Sequence, residues 1–157
     1  QIKWLTYPSR QELPLMAESA QATLKDIGID VDINCTADNN SVVQDPAAWD
    51  VYAMANVQAP TGDPEYWFTV FATSDATKNQ GAYKNEKLDQ LEEQLSQEFD
   101  PDKRAKLAVQ MQQTVLDDNA FVYCSFLKMS QISRANVTGY MAHACDYYQV
   151  TADLDIN

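Results

Sequence analysis

Residues 2–34 constrain the fold more than any other part of the chain. They run as an alternating segment, a segment with helical spacing and a second alternating segment, joined by short connections. Ile2–Tyr7 (IKWLTY) is rich in β-branched and aromatic residues and predicts a strand that Pro8 and Ser9 end. Leu13, Met16, Ala17, Ala20, Leu24 and Ile27 then fall on one helical stripe. Pro14 suits a first helical turn. The regular helix is therefore expected from near Leu13, with the capping-box pattern of Ser9 and Glu12 as lead-in. Gly28 is placed to stop it. Ile29–Asn34 (IDVDIN) alternates strictly, with Ile29, Val31 and Ile33 on one face. A strand, a helix and a strand so closely linked imply two parallel strands and a right-handed crossover.

The rest of the chain extends that α/β pattern. A polar stretch from Thr36 reads as a loop or short helix, and Trp49–Val57 as a further strand with mixed facing residues. Asn85 can cap a helix carrying Leu88, Leu91, Leu95 and Phe99. Asp100 and Pro101 supply cap and first-turn chemistry for another, carrying Leu107, Ala108, Met111 and Val115 to about Asp118. Phe121–Leu127 (FVYCSFL) is a near-continuous apolar run, expected as a strand in the centre of the sheet. QISRANVTGY resembles a strand and turn, and the acidic tail after Val150 has no evident packed role. Asn136-Val137-Thr138 fits a glycosylation acceptor, a match short enough to arise by chance. The fold expected for residues 1–157 is a single α/β domain with a mostly parallel core sheet.

Charge and cysteine content remove several classes of function. With 23 acidic against 11 basic residues the net charge is −12, so nucleic acid is not an expected partner. No apolar run approaches the ~20 residues of a membrane span, and the start at Gln1 fits a mature form or an excised piece. Cys35, Cys124 and Cys145 are far apart, and the single His143 lies two residues from Cys145. That spacing disfavours a structural metal site, and the odd count implies no disulfide framework. Cys124, inside an apolar run, is expected to be a small buried residue.

A catalytic centre finds little support. One histidine, no G-x-S-x-G and only 4 glycines leave neither a Ser-His-Asp arrangement nor a phosphate loop. The acidic pairs Glu92/Glu93 and Asp117/Asp118 lie on expected helices, where solvated faces far outnumber dyads. The residues alone favour a binding module over an enzyme, and Trp49–Asn85 is where aromatic, turn and amide residues concentrate.

Four stretches carry a family resemblance. They are LPLMAESAQATLKDIGIDVDI, WDVYAMANVQAPTGDPEYWF, KNQGAYKNEKLDQLEEQL and EFDPDKRAKLAVQMQQTVLDDNAFVY. In that order they resemble the extracytoplasmic solute-binding proteins (family 5) that serve ABC importers of oligopeptides, dipeptides and nickel, over roughly residues 2–127. The resemblance implies the C-terminal lobe of a two-lobed periplasmic-binding-protein fold, with a mixed, mostly parallel sheet flanked by helices. It implies a ligand cleft shared with a missing N-terminal lobe, towards which residues 151–157 would return. It implies no enzyme activity and no cofactor, with a nickel chelate or short peptide as ligand, an ABC permease as partner, and an extracytoplasmic, lipoprotein-like location. The cleft-facing residues implied are Asn56, Gln58, Thr61, Tyr66, Trp67, Asn79 and Tyr83.

Simpler roles compete at several of these positions. Asp63 before Pro64 is an N-cap candidate, Asn79 and Tyr83 can simply lock a loop, and Trp67 or Phe68 is expected in the core. Arg104 is expected to pair with a carboxylate one turn away, such as Asp100. Peptide-binding relatives place an aspartate in the turn before Asp63, where this chain has Pro60 or Thr61, and the APTGDP run is closer to the nickel-type branch. His143 does not align with a ligating histidine, so no metal ligand is assigned. The alternatives from other classes are a small acidic hydrolase and a protein-interaction domain using Tyr52, Tyr66 and Trp67.

Overall fold

The computed structural model describes residues 1–128, 130–143 and 150–157. Its contacts divide the chain into two compact units, Gln1–Asn56 and Val57–Asn157.

The first unit is the β-α-β element and its extension. β1 (Ile2–Thr6), α1 (Glu12–Lys25), β2 (Val31–Cys35), α2 (Asn39–Val42) and β3 (Val51–Tyr52) follow in order, and the sheet order is β2-β1-β3. Both pairings are parallel, with Ile2 opposite Val31 and Trp4 opposite Val51. Leu5, Leu13, Ala17 and Val31 are buried, and the Gln21 amide donates to the Val31 carbonyl at 2.7 Å. α1 starts without a side-chain cap, so the Ser9/Glu12 pattern serves only as lead-in. Its end is decided by Gly28 at φ +81°, with the Ile29 amide returning to Leu24 O and the Gly28 amide to Lys25 O. Ile27 therefore lies in the closing turn rather than on the stripe, and is 71% exposed.

The expected strand over 49–57 shrinks to Val51–Tyr52. β1, its pairing partner, stops at Thr6 ahead of Pro8, and the last bond along this edge is Ala53 N–H to Leu5 O at 2.9 Å. Beyond that point the Ala55 amide donates to the Tyr7 hydroxyl rather than to a strand.

The second unit is helical. It contains α3 (Glu65–Trp67), a π-helical turn (Phe68–Ala72), α4 (Glu86–Gln97), α5 (Pro101–Asp117), β4 (Val137–Thr138) and β5 (Asp155–Ile156). α4 and α5 pack around Phe68, Ala72, Leu88, Leu91, Leu95, Ala108, Met111 and Val115. Their apolar residues recur at the 3–4-residue spacing that builds one buried stripe on each helix. Both helix starts obey their cap chemistry: Asn85 Oδ1 accepts from the Leu88 amide, and Asp100 Oδ1 accepts from the Asp102 and Lys103 amides. Phe99 departs from the expected stripe and is 88% exposed, because Glu98 and Asp100 are extended and break the helical period after Leu95.

Two further expectations are corrected. Phe121–Leu127 pairs with no strand among the described residues; Val122, Phe126 and Leu127 are exposed, and only Phe121 packs against the core. An apolar run forms a central strand only when partners lie on both sides, and among the described residues none does. Cys124 is accordingly exposed, as is Cys35; Cys145 lies outside the described residues. Val137–Thr138 does form a strand, antiparallel to Asp155–Ile156 of the acidic tail.

Candidate functional site

Open parallel sheets bind ligands beyond the carboxyl ends of their strands. In the first unit those ends carry Tyr7 after β1 and Tyr52 in β3. The Tyr52 hydroxyl accepts from Asn39 Nδ2 at 2.7 Å, and the Tyr7 hydroxyl accepts from the Ala55 amide at 3.1 Å. The Tyr52 ring stands 6.4 Å from Tyr7 and 6.0 Å from Trp49. Burial raises the Tyr52 phenol above its ordinary value despite the Asn39 bond, so it is neutral at physiological pH. Asn56 ends this unit, exposed, with its amide against Met54 Sδ.

The second unit opens on a tight turn. The Gly62 amide donates to the Ala59 carbonyl at 3.0 Å, with Pro60 and Thr61 between them. Proline presets the first corner of such a turn, and Gly62 at φ +84° takes the left-handed position at its end. Thr61 is left exposed at the tip, and Gln58 is exposed just before it. Asp63 Oδ1 accepts from the Glu65 amide at 3.0 Å, which starts α3 and gives Asp63 its expected helix-start role.

The other Asp63 oxygen is held by Arg104. Nη2 of Arg104 lies 2.7 Å from Asp63 Oδ2 and 2.6 Å from Glu65 Oε2, while Nη1 donates to the Leu95 and Glu98 carbonyls at 2.6 and 2.7 Å. The guanidinium thus closes the end of α4 and ties the turn to α5 in one fork. This replaces the expected Asp100 pairing: Asp100 is occupied by the amides of its own helix start. Burial opposes the Asp63 charge, but the Glu65 amide and Arg104 outweigh it and hold the carboxyl below its ordinary range.

Tyr66 is exposed on α3, and Trp67 is half-buried among Phe68, Phe71, Phe121 and Tyr123. Phe68 is the core member of the Trp67–Phe68 pair. Asn79 is committed to the loop, with its amide donating to the Thr73 and Tyr83 carbonyls and its oxygen accepting from the Tyr83 amide. The Tyr83 hydroxyl donates to Asp118 Oδ2 at 2.7 Å, and Asn85 Nδ2 donates to the same oxygen. Burial, and then the Asp118 carboxylate, push the Tyr83 phenol up to about 12.

The structure therefore places Thr61 and Tyr66 on one braced segment, and joins Trp67 to Tyr83 through Phe121. Asn79 and Tyr83 are turned to holding the loop. Sequence reasoning did not single out Tyr7 and Asn39, and named Tyr52 only for the alternative protein-interaction surface, although Tyr7 standing directly before Pro8 at a strand end was a usable signal. The Arg104–Asp63 pair spans 41 residues, and nothing in local spacing announces it. Among the described residues no group of three or more His, Cys, Asp or Glu could hold a metal ion, and no helix is long and apolar enough to cross a membrane.

No protein-family model matches the chain. Over 107 residues, 68% of the chain, it is 32% identical to the nickel-binding protein NikA of Staphylococcus aureus. The crystal structure of that NikA in complex with Ni(L-His)2 superposes on 74% of the chain with a TM-score of 0.72 and 30% identity. Over that region the chain is homologous to NikA. A nickel ABC transporter protein from Bacillus halodurans matches the same share at TM-score 0.68 and 30% identity. The putative peptide-binding protein AppA of Clostridium difficile follows at 0.64 and 27%. The matched region covers only 22–25% of these proteins' own lengths. The α/β architecture is that of part of a lobe of the periplasmic-binding-protein fold.

Proposed function

We propose that the chain is the C-terminal ligand-binding lobe, or most of it, of an extracytoplasmic solute receptor for an ABC importer, with a nickel complex as its cargo. The observation that carries this reading is the paired sequence and structural match to NikA, 32% identity and a TM-score of 0.72. The nickel proteins exceed the peptide-binding AppA in both identity and superposition. A short peptide is the second reading, and the AppA match supports it.

On this reading the protein captures and releases its ligand without turnover, closing by a hinge against an N-terminal lobe and then docking on a permease. Residues 1–157 act as one lobe, 151–157 return towards the missing lobe, and the receptor works in the periplasm or, as a lipoprotein, on the outer face of the cell membrane. Asn56, Gln58, Thr61, Tyr66 and Trp67 meet the ligand, while Asn79 and Tyr83 hold the loop beside them. The first five combine amides, two hydroxyls and aromatic faces with no carboxylate or cation, which suits a neutral chelate. Native mass spectrometry of the full-length receptor purified from its own cells tests this. A bound mass containing nickel supports the nickel reading, a peptide mass replaces it with the second, and a turned-over product defeats both.

A further inference from the structure

The turn that carries Thr61 also carries Asp63, and Glu65 directly precedes Tyr66, so two carboxylates flank the proposed contacts. A ligand cation would be drawn to them. Against this stands one guanidinium. Arg104 takes one oxygen of each turn carboxylate, and the Glu65 amide takes the second oxygen of Asp63. Its side chain is only 19% exposed and is pinned from behind by the Leu95 and Glu98 carbonyls. A planar fork held at both nitrogens cannot swing away to make room for a ligand cation, as a lysine could.

We infer that Arg104 is a specificity-determining, positioning residue: it acts as the built-in counter-ion of the Asp63–Glu65 turn, bracing Thr61 and Tyr66 and lowering the turn's pull on cationic ligands. It touches no ligand itself. The inference rests on the receptor reading above and adds to it the charge class of the cargo, a neutral rather than a cationic species. Arg104 neutralises one of the two carboxylate charges, so its loss leaves both uncompensated beside the contacts.

The test is calorimetry on the full-length receptor with two probes, the neutral complex of nickel(II) with two L-histidines and the aqua nickel(II) dication. Wild type is expected to favour the neutral complex. Arg104→Met should bind that complex about tenfold more weakly, the usual scale for losing a residue that orients a site's contacts. It should also shift the ratio of the two affinities towards the dication. Arg104→Lys should restore part of the charge preference without the full affinity. If Arg104→Met does not fold, Asp63→Asn/Glu65→Gln carries the test, because it removes the turn's charge and should move the ratio further from the dication. A purely structural Arg104 would change stability and leave the ratio unmoved in every folded variant, which overturns the inference while leaving the receptor reading intact. A folded wild type that binds neither nickel species nor any short peptide overturns both.

Discussion

Replacing Arg104 by methionine keeps the volume of the side chain and removes four hydrogen bonds at once. Two go to carboxylates at 2.7 and 2.6 Å and two to carbonyls at 2.6 and 2.7 Å. The carboxylate side chains are 42% and 28% exposed, so water recovers much of their solvation, and the two ion pairs together are worth about 1–2 kcal/mol. The carbonyl bonds close the end of α4, where a charged donor contributes about 1 kcal/mol per bond after partial exposure. The expected loss is about 3 kcal/mol, large against the 5–15 kcal/mol that typically holds a domain together. Arg104→Lys should lose about half of that, because one ammonium cannot serve four acceptors in a fork. Urea unfolding reads the effect, followed by the fluorescence of Trp67 in a Trp4→Phe/Trp49→Phe background, since the three tryptophans are then reduced to the one in the second unit. The sign of the pH dependence follows from Asp63, whose folded carboxyl lies below its ordinary 3.8. Its contribution is complete above that value and is lost as pH falls through the lower, folded range, so the gap between wild type and Arg104→Met narrows in acid. It does not close, because the carbonyl bonds need no carboxylate. A destabilisation under about 0.5 kcal/mol, the usual size for an unengaged surface position, would refute the claim that the fork braces this unit.

Other sites give independent checks. Leu95→Ala removes a wholly buried side chain from between α4 and α5 and should cost about 2–5 kcal/mol by urea midpoint, whereas Phe99→Ala, four residues on, should cost almost nothing. Asn85→Ala deletes the cap of α4 and the second donor to Asp118, for a loss of about 1 kcal/mol in the same assay. Tyr83 has its phenol raised from 10.0 to about 12, so its contribution is complete below pH 10 and disappears as pH rises through that interval. The stability difference between wild type and Tyr83→Phe should shrink between those two pH values. A difference that stays flat there would mean that neither burial nor the Asp118 bond raises the Tyr83 phenol.

The local half of this architecture was legible because it is written in local signals. Gly28, Asn85, Asp100 and Pro101 each do what short-range backbone chemistry requires of them, and the Leu88/Leu91/Leu95 stripe is buried as its spacing demands. Ile27 and Phe99 fail locally, where a helix ends; the larger failures involve pairing at a distance. Phe121–Leu127 has the composition of a central strand, yet composition cannot say whether neighbouring strands are there to receive it. The Trp49–Val57 strand was cut short by the end of its partner, not by anything in its own residues. At the candidate site turn residues were in view within Trp49–Asn85, but Arg104 looked like a helix-surface cation with Asp100 in reach. Only the fold shows that Asp100 is occupied by two amides and that Asp63, 41 residues away, is Arg104's partner.

The central claim, that this lobe serves a receptor for a neutral nickel chelate, is tested most directly by titrating the full-length protein calorimetrically. The titrants are nickel(II) with L-histidine, nickel(II) alone, and a set of di- to pentapeptides. The account predicts saturable, one-to-one binding of the nickel–histidine complex, tighter than binding of nickel alone. Saturable binding of the peptides with no heat from either nickel species would contradict it.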